Sequence, residues 1–230
     1  MIITIHQPQY LPYIGFFHKL MLSDVCVILD DVEYSKNDFF NRNRIKTPQG
    51  WCWITVPVKA KMKQLIKDVE IDNSQNWGVK HWKAILANYE KAAFFNEYQE
   101  FFKDYYSESW ETLVDLNLKS IEYIAKKLNL NVKFRKSSEL GINSKKTQRL
   151  VDICKKLNAM SYIAGVGSKD YMDAELFRES GIKLLYQDFK HPVYEQRFGK
   201  FEELMSVIDL IFNNGKKSIE IIKNSGGVFQ

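Results

Sequence analysis

A short apolar run that is followed by two closely spaced prolines is the feature that most constrains the fold. Residues 2–5 are apolar or β-branched, which is typical of a buried strand, and Pro8 and Pro12 prevent that strand from continuing. Helical spacing of apolar residues follows from Tyr13, and a second apolar run occupies residues 25–29. The chain therefore opens with a strand–turn–helix–strand unit, and the predicted fold class is α/β.

A second unit of the same kind lies in the C-terminal third. Residues 161–164 predict a strand, residues 165–170 a loop, residues 171–179 a helix that stops at Gly181, and residues 182–186 another strand. Such a βαβ unit is expected to be right-handed and parallel. We therefore predict a mostly parallel sheet built from N- and C-terminal βαβ-type units.

The middle of the chain has a helical period with little glycine or proline. Residues 76–130 are interpreted as a helical lobe inserted within a single α/β domain that covers residues 1–230. The flanking segments are expected to form strands at 51–58 and 66–71 and helices at 144–157 and 201–212.

Five segments are long and unusual enough to carry a resemblance: residues 6–24, 30–47, 51–58, 161–196 and 208–215. They resemble the WbqC-like protein family, over nearly the whole chain and most weakly in its middle. The resemblance implies a link to bacterial surface-polysaccharide (O-antigen) gene clusters and to other sugar or natural-product pathways. It implies no particular reaction.

Charge and composition disfavour a nucleic-acid partner and are compatible with a phosphate-bearing substrate. The net charge is +5 and the lysines are scattered along the chain, which is typical of a solvated surface. No clustered basic face accompanies the aromatic residues, so nucleic-acid binding is disfavoured. A phosphate-bearing substrate would be attracted by the mild positive charge, but the charge alone does not decide the partner.

Cysteine usage and hydropathy predict a cytoplasmic protein. The three cysteines, Cys26, Cys52 and Cys154, have no C-x-x-C spacing and lie in apolar runs, which favours buried free thiols in a reducing compartment over a catalytic thiolate. No signal peptide is expected, and no apolar run approaches the roughly 20 residues of a membrane span.

Three residues at predicted strand ends are the catalytic candidates: His6, Asp30 and Asp31. In parallel α/β sheets, ligands gather at the carboxyl ends of strands. His6 lies between a buried strand and a proline turn and could act as an acid or base near neutrality; the alternative is a core histidine bonded to a turn carbonyl. One of the aspartates could bind a sugar hydroxyl or Mg²⁺ or accept a proton, but two acids are too few to predict a metal site.

The polar and aromatic segment 32–46 is expected to be an ordered loop over the site. Within it Arg42 is preferred to Arg44 as the residue that faces a ligand, with pairing to Asp30 or Asp31 as the alternative. The glycines of the 165–170 loop leave room for a close backbone approach, and the helix after Pro12 offers N–H groups to an anion. The predicted substrate-binding residues are Gln7, Gln9, Tyr10, Tyr34, Asn41, Arg42, Asn43, Gly165, Gly167, Ser168, Lys169, Tyr171 and His191.

Two functional hypotheses follow. The first is a transferase that forms an amide on a nucleotide-linked amino sugar, with His6 or an aspartate taking the proton of the amine and with Arg42, Lys169 and the helix N-terminus holding phosphate or carboxylate. The second is a non-catalytic or regulatory protein that binds a sugar nucleotide in the same cleft. The sequence names no cofactor and no oligomeric state.

Overall fold

The computed structural model describes all 230 residues. Ten strands are present: β1 (Ile2–His6), β2 (Val25–Ile28), β3 (Arg42–Thr47), β4 (Gly50–Thr55), β5 (Val58–Lys59), β6 (Glu70–Ile71), β7 (Lys133–Lys136), β8 (Ser161–Ala164), β9 (Lys183–Phe189) and β10 (Gly226–Phe229). Eight α-helices accompany them: α1 (Ile14–Met21), α2 (Trp77–Tyr89), α3 (Gln99–Ser107), α4 (Leu113–Lys127), α5 (Lys146–Lys156), α6 (Ala174–Glu179), α7 (Val207–Asn214) and α8 (Ser218–Lys223).

Six strands form the central sheet in the order β10-β9-β8-β1-β2-β7. The five strands from β9 to β7 in that order are parallel, and β10 pairs with β9 in the antiparallel sense. The predicted mostly parallel α/β fold is thus confirmed. From β1 the chain moves outward to β2 and β7, and it then crosses back to place β8 on the other side of β1. The order of connection therefore reverses between β1 and β8, and such a reversal opens a crevice at the carboxyl edge of the sheet.

Alternation along β1 and β2 explains why helices cover both faces of the sheet. Ile3 and Ile5 belong to a buried cluster with residues of α5 and α6, whereas Cys26 and Ile28 belong to another cluster with residues of α1. Because successive strand residues point to opposite faces, a run that is apolar at every position requires a cover on each side.

Residues 29–132, between β2 and β7, form a long excursion that carries two small antiparallel hairpins and the helices α2, α3 and α4. Its buried side chains are continuous with those of α1 and α7 in one cluster. This continuity supports our proposal that the chain is one domain with a helical insertion at residues 76–130.

Three of the predicted segments differ from the structure. The helix expected at 201–212 begins only at Val207 and ends at Asn214. The strand expected at 66–71 is a 3-10 turn, Ile66–Asp68, followed by the two residues of β6. The segment 32–46 is a loop only in its first part, because Arg42 begins β3 and lies with its guanidinium 4.4 Å from the ring centre of Trp53 on β4. The cross-strand partners, which the sequence does not show, pair this polar run into a hairpin.

The edge strand β10 is absent from the sequence-based prediction. It begins with Gly226 and Gly227, which have low strand propensity. Gly226 has φ +126°, and a Cβ there would collide with the carbonyl oxygen of Asp188 on β9. Glycine is therefore the residue that permits this close pairing.

Candidate functional site

A cavity of about 860 Å³ lies at the carboxyl edge of the sheet where the order of connection reverses. Residues at the ends of β1 and β8, the start of α5 and the loop before α6 line it. We call it the switch-point cavity. Its volume is within the range of about 300–1,000 Å³ that small-molecule sites occupy.

Six of the residues predicted for the site line this cavity: His6, Gln7, Gly165, Gly167, Ser168 and Tyr171. They come from the two ends of the chain, and the pairing of Thr4 with Ile163 brings them together. Gly165 and Gly167 have open space where a Cβ would lie, so the backbone there is accessible. The Ser168 hydroxyl donates to the Gly165 carbonyl oxygen at 2.7 Å, which fixes the turn between them.

The His6 ring is held in one tautomer. Its Nδ1 lies 2.9 Å from the carbonyl oxygen of Gln7, which can only accept, so Nδ1 carries the proton and Nε2 has a free lone pair. Burial, reinforced by the positive charge of Lys19, lowers the pKa of His6 to about 3, although the bond to Gln7 opposes the shift. His6 is therefore neutral at physiological pH and can accept a hydrogen bond from a ligand.

The charge of the cavity wall is positive. Lys19, Lys146 and Arg149 line it, and no aspartate or glutamate does. None of these three cations belongs to the predicted site. A wall with cations and without carboxylates favours an anionic ligand.

Lys19 is the most unusual of these cations. It is only 6% exposed, on a helix whose other core-facing residues are mostly apolar, and it forms no salt bridge. Burial lowers the pKa of its amine to about 8. A substantial fraction of this lysine is therefore uncharged at slightly alkaline pH.

Arg149 is held by one of the predicted catalytic acids. Its Nη2 lies 2.5 Å from Oδ2 of Asp31, and its Nε is buried without a hydrogen-bond partner. Asp30 instead accepts hydrogen bonds from the backbone N–H and the hydroxyl of Ser138, at 3.0 and 2.7 Å. Neither aspartate lines the cavity, so Asp31 orients a cavity residue and Asp30 anchors the turn after β7.

The first turn of α5 adds backbone donors at the same wall. Lys146 and Thr147 line the cavity, and the residue before the helix, Lys145, provides no side-chain cap. The Thr147 hydroxyl oxygen accepts from the N–H of Asp173, 3.2 Å away. No residue of the first turn of α1, the predicted anion site, lines the cavity. At that end of the helix the Pro12 carbonyl oxygen instead accepts from the N–H of Val207 on α7.

Several predicted binding residues have structural contacts away from the cavity. Tyr10 is fully buried, with its hydroxyl 2.9 Å from Nδ1 of His81 and 2.8 Å from the hydroxyl of Tyr106. Asn43 donates to the Leu11 carbonyl oxygen at 2.7 Å, and Asn41 donates to that of Val56 at 2.7 Å. These residues fix the proline turn and the hairpin.

The other predicted residues also lie outside the cavity wall. Tyr34 packs against Phe40, and Gln9 is half-buried in the proline turn. The Lys169 amine lies 5.7 Å from the ring centre of Tyr186 and therefore points toward β9. Arg42 lies over Trp53 in the hairpin. His191 is engaged at both nitrogens, with Nδ1 3.0 Å from the Pro192 carbonyl oxygen and Nε2 accepting from the Leu204 N–H at 3.0 Å.

Comparison with known proteins gives the family. The profile of the WbqC-like protein family matches residues 7–221. The chain belongs to the WbqC-like protein family. It is also 34% identical over 225 residues to the uncharacterized protein Rv1507c of Mycobacterium tuberculosis, a match that covers 96% of this chain and 97% of that protein.

Two further structural findings concern the helices and the potential metal ligands of this WbqC-like protein. None of its helices combines the length and the apolar character that crossing a membrane requires. Nowhere do three or more histidine, cysteine, aspartate or glutamate side chains come together in a way that could hold a metal ion.

The buried His81 predicts a pH dependence of stability. Burial lowers the pKa of His81 to about 4, below the ordinary 6.5, and the unfolded chain therefore binds the proton more tightly. The contribution of His81 to the free energy of unfolding is therefore fully present above pH 6.5 and is lost as the pH falls toward 4. The total loss is about 3 kcal/mol. Urea unfolding at pH 7 and 4.5 is expected to show a smaller loss in His81→Gln, which keeps a donor and an acceptor but does not titrate. Equal losses in both proteins would contradict the assignment.

The sequence contains a signal for one of the three cationic residues that were not predicted for the site, but not for the other two. The signal is at Lys19. Its helix is apolar on most sides and offers few solvent-facing positions, so a lysine there is expected to be buried. Arg149 and Lys146 lie on an ordinary amphipathic helix, and only the crossover from β7 to β8 brings them to the cavity.

Proposed function

We propose that this protein is an enzyme of bacterial surface-polysaccharide or related amino-sugar biosynthesis that transfers an acyl or aminoacyl group to a nucleotide-linked amino sugar. The observation that carries the proposal is a cavity of suitable size whose wall holds Lys146 and Arg149 as cations, a buried lysine amine, a neutral histidine and no carboxylate. The pathway part of the proposal rests on membership of the WbqC-like family.

The cations suit the diphosphate of a sugar nucleotide. Lys146 and the uncapped first turn of α5 present positive charge from one element. Arg149 adds a planar guanidinium whose position is set by Asp31, and such a group binds phosphate oxygens well. The accessible backbone of Gly165 and Gly167 lets a ligand approach β8 closely.

The neutral His6 suits the amino group of the sugar. Its free Nε2 accepts a hydrogen bond from an amine N–H and so orients the nitrogen lone pair toward an acyl donor. Tyr171, which is 75% exposed and lies at the rim, offers an aromatic face to the sugar or the base. The α5 cations thus take the phosphate-binding roles that were predicted for Arg42 and Lys169.

A non-catalytic or regulatory sugar-nucleotide binding protein is the second candidate. Such a protein would use the same cations to hold the diphosphate. It would not need the amino group of the sugar to lie uncharged beside His6. Turnover separates the two candidates, since only the first predicts an amide product from an amino sugar and an activated acyl donor.

A thermal-shift screen with UDP- and dTDP-linked amino sugars, their unsubstituted sugar analogues, CoA and ATP tests the proposal. A bound ligand raises the melting temperature by mass action. A sugar nucleotide is expected to stabilise the wild type, and Lys146→Gln is expected to weaken binding by about 10- to 100-fold, because a charge-assisted hydrogen bond contributes about 1.5–3 kcal/mol.

The matched control is Lys169→Gln, which makes the same change in the loop after β8 but at a side chain that points toward β9. It is expected to bind as the wild type does. No shift with any sugar nucleotide, or equal losses in the two variants, would overturn the proposed ligand class.

A further inference from the structure

The amine of Lys19 belongs to the cavity wall, where Lys146, Arg149 and the first turn of α5 already supply positive charge for a diphosphate. Lys19 lies on α1, which packs on one face of the sheet, and its side chain reaches the cavity. The charged groups around it are few. His6 is neutral, Lys146 and Arg149 are cations, and Asp31 is engaged by Arg149.

No counter-ion compensates the burial of this amine. A lysine that is only 6% exposed is ordinarily paired with a carboxylate, since an isolated ammonium is costly to desolvate. Here the wall of the cavity contains no carboxylate and Lys19 takes part in no salt bridge. Burial also raises the pKa of the nearby Cys26 thiol to about 12, so that thiol carries no compensating charge. Burial therefore lowers the pKa of the Lys19 amine to about 8, so that a fraction of the molecules carries an amine with a free lone pair that can accept a proton.

We propose that Lys19, in its uncharged form, is the catalytic base of the transfer reaction. This inference rests on the proposed function. A general base works best when its pKa lies near the operating pH. His6 is the weaker candidate, because burial lowers its pKa to about 3 and its ring is therefore a poor proton acceptor at neutral pH. Lys19 accepts the proton, and His6 orients the amine that loses it.

The step balances with an activated acyl donor, such as a thioester or an acyl phosphate, as the co-reactant. The nitrogen lone pair of the amino sugar attacks the acyl carbon and forms the C–N bond. One proton of that nitrogen passes to Nζ of Lys19, and the bond from carbon to the leaving group breaks with its electron pair. The products are the amide and the leaving group, which takes the proton from Lys19 directly or through water.

An anionic substrate, which the cations of the cavity wall favour, also suits proton transfer to Lys19. An anionic substrate would bring negative charge into the cavity and favour the ammonium form of Lys19 once the proton has been transferred.

Reductive methylation of the intact protein tests the inference even when the substrate is not identified. Formaldehyde with a borane reductant modifies only uncharged amines, and peptide mass spectrometry gives the rate at each lysine between pH 6.5 and 10. Lys19 is expected to react with a midpoint near pH 8. At pH 7.5 its uncharged fraction would exceed that of an ordinary lysine, with a pKa of about 10.4, by roughly 200-fold.

Exposed lysines such as Lys119 serve as internal references in the same digest. A Lys19 midpoint near that of the exposed lysines, or no modification of Lys19 while they react, would overturn the inference. Lys146→Gln is the matched variant, since it removes a cavity cation and is expected to leave the Lys19 midpoint within about one pH unit.

A UDP- or dTDP-linked amino sugar added to the same reaction distinguishes the inference from the proposed function. Protection of Lys19 by the sugar nucleotide supports both. A midpoint near 8 without protection by any sugar nucleotide would count against the proposed function, whereas protection of a Lys19 that titrates like the references would count against its role as base.

Discussion

Lys19→Met is expected to lower the rate of amide formation by about 10²- to 10⁴-fold while it raises the melting temperature. The loss of rate is the usual effect of removing a general base. The gain in stability arises because methionine fills a similar volume without burying an ammonium group. The lowered pKa of Lys19, about 8 against 10.5, corresponds to about 3 kcal/mol of destabilisation below pH 8.

The pH dependence gives a second readout for the same variant. Between pH 8 and 10.5 the Lys19 amine has released its proton in the folded protein but still holds it in the unfolded chain. The wild type therefore gains stability as the pH rises through this range. The difference in free energy of unfolding between Lys19→Met and wild type is therefore expected to shrink over that range. Urea unfolding at pH 7 and pH 10 measures it. A variant that is less stable than wild type at pH 7 would show that Lys19 is a structural cation.

The second large effect is expected at Asp209, a fully buried carboxylate on α7. Its oxygens accept hydrogen bonds from the hydroxyls of Tyr89 and Tyr194, each at 3.0 Å, and from Nε2 of Gln196 at 2.7 Å. Burial raises the pKa of Asp209, and these three donors oppose the shift. The hydroxyl oxygen of Tyr89 in turn accepts from the backbone N–H of Lys46 at 2.8 Å, so the network joins α7, α2 and β3.

Asp209→Ala is expected to destabilise the fold by about 3–5 kcal/mol, because it leaves buried donors without an acceptor. That loss is a large share of the roughly 5–15 kcal/mol that stabilises a typical domain. Thermal unfolding followed by circular dichroism measures it. Asp68→Ala, at an exposed aspartate, is the matched control and is expected to change stability by less than about 0.5 kcal/mol. A loss below about 1 kcal/mol at Asp209 would contradict a structural role for the network.

The central sheet and its switch point could be predicted because their signals are local. Apolar runs at residues 2–5, 25–29 and 161–164 have the length of buried strands, and they are ended by Pro8, by Asp30 and by Gly165 respectively. His6 and the Gly165 to Ser168 turn follow from that topology alone, since the ends of adjacent parallel strands meet.

The cationic part of the cavity could not be predicted in the same way. Whether Arg42 or Arg149 faces the cavity depends on which elements become neighbours, and the two arginines stand in equally polar sequence. Arg42 is drawn onto Trp53 by the β3–β4 hairpin, while the β7 to β8 crossover carries Arg149 to the wall and Asp31 holds it there. The sequence around Asp30 and Asp31 likewise does not indicate that they pair with Ser138 and Arg149 respectively.

The most direct test of the central claim, that an anionic sugar nucleotide binds in the switch-point cavity, is hydrogen–deuterium exchange with and without a dTDP- or UDP-linked amino sugar. We expect slower exchange in peptides that cover residues 2–7, 145–150 and 165–172, and unchanged exchange in the β3–β4 hairpin. Protection confined to residues 42–55, where Arg42 lies over Trp53, would place the ligand on the hairpin and contradict the claim.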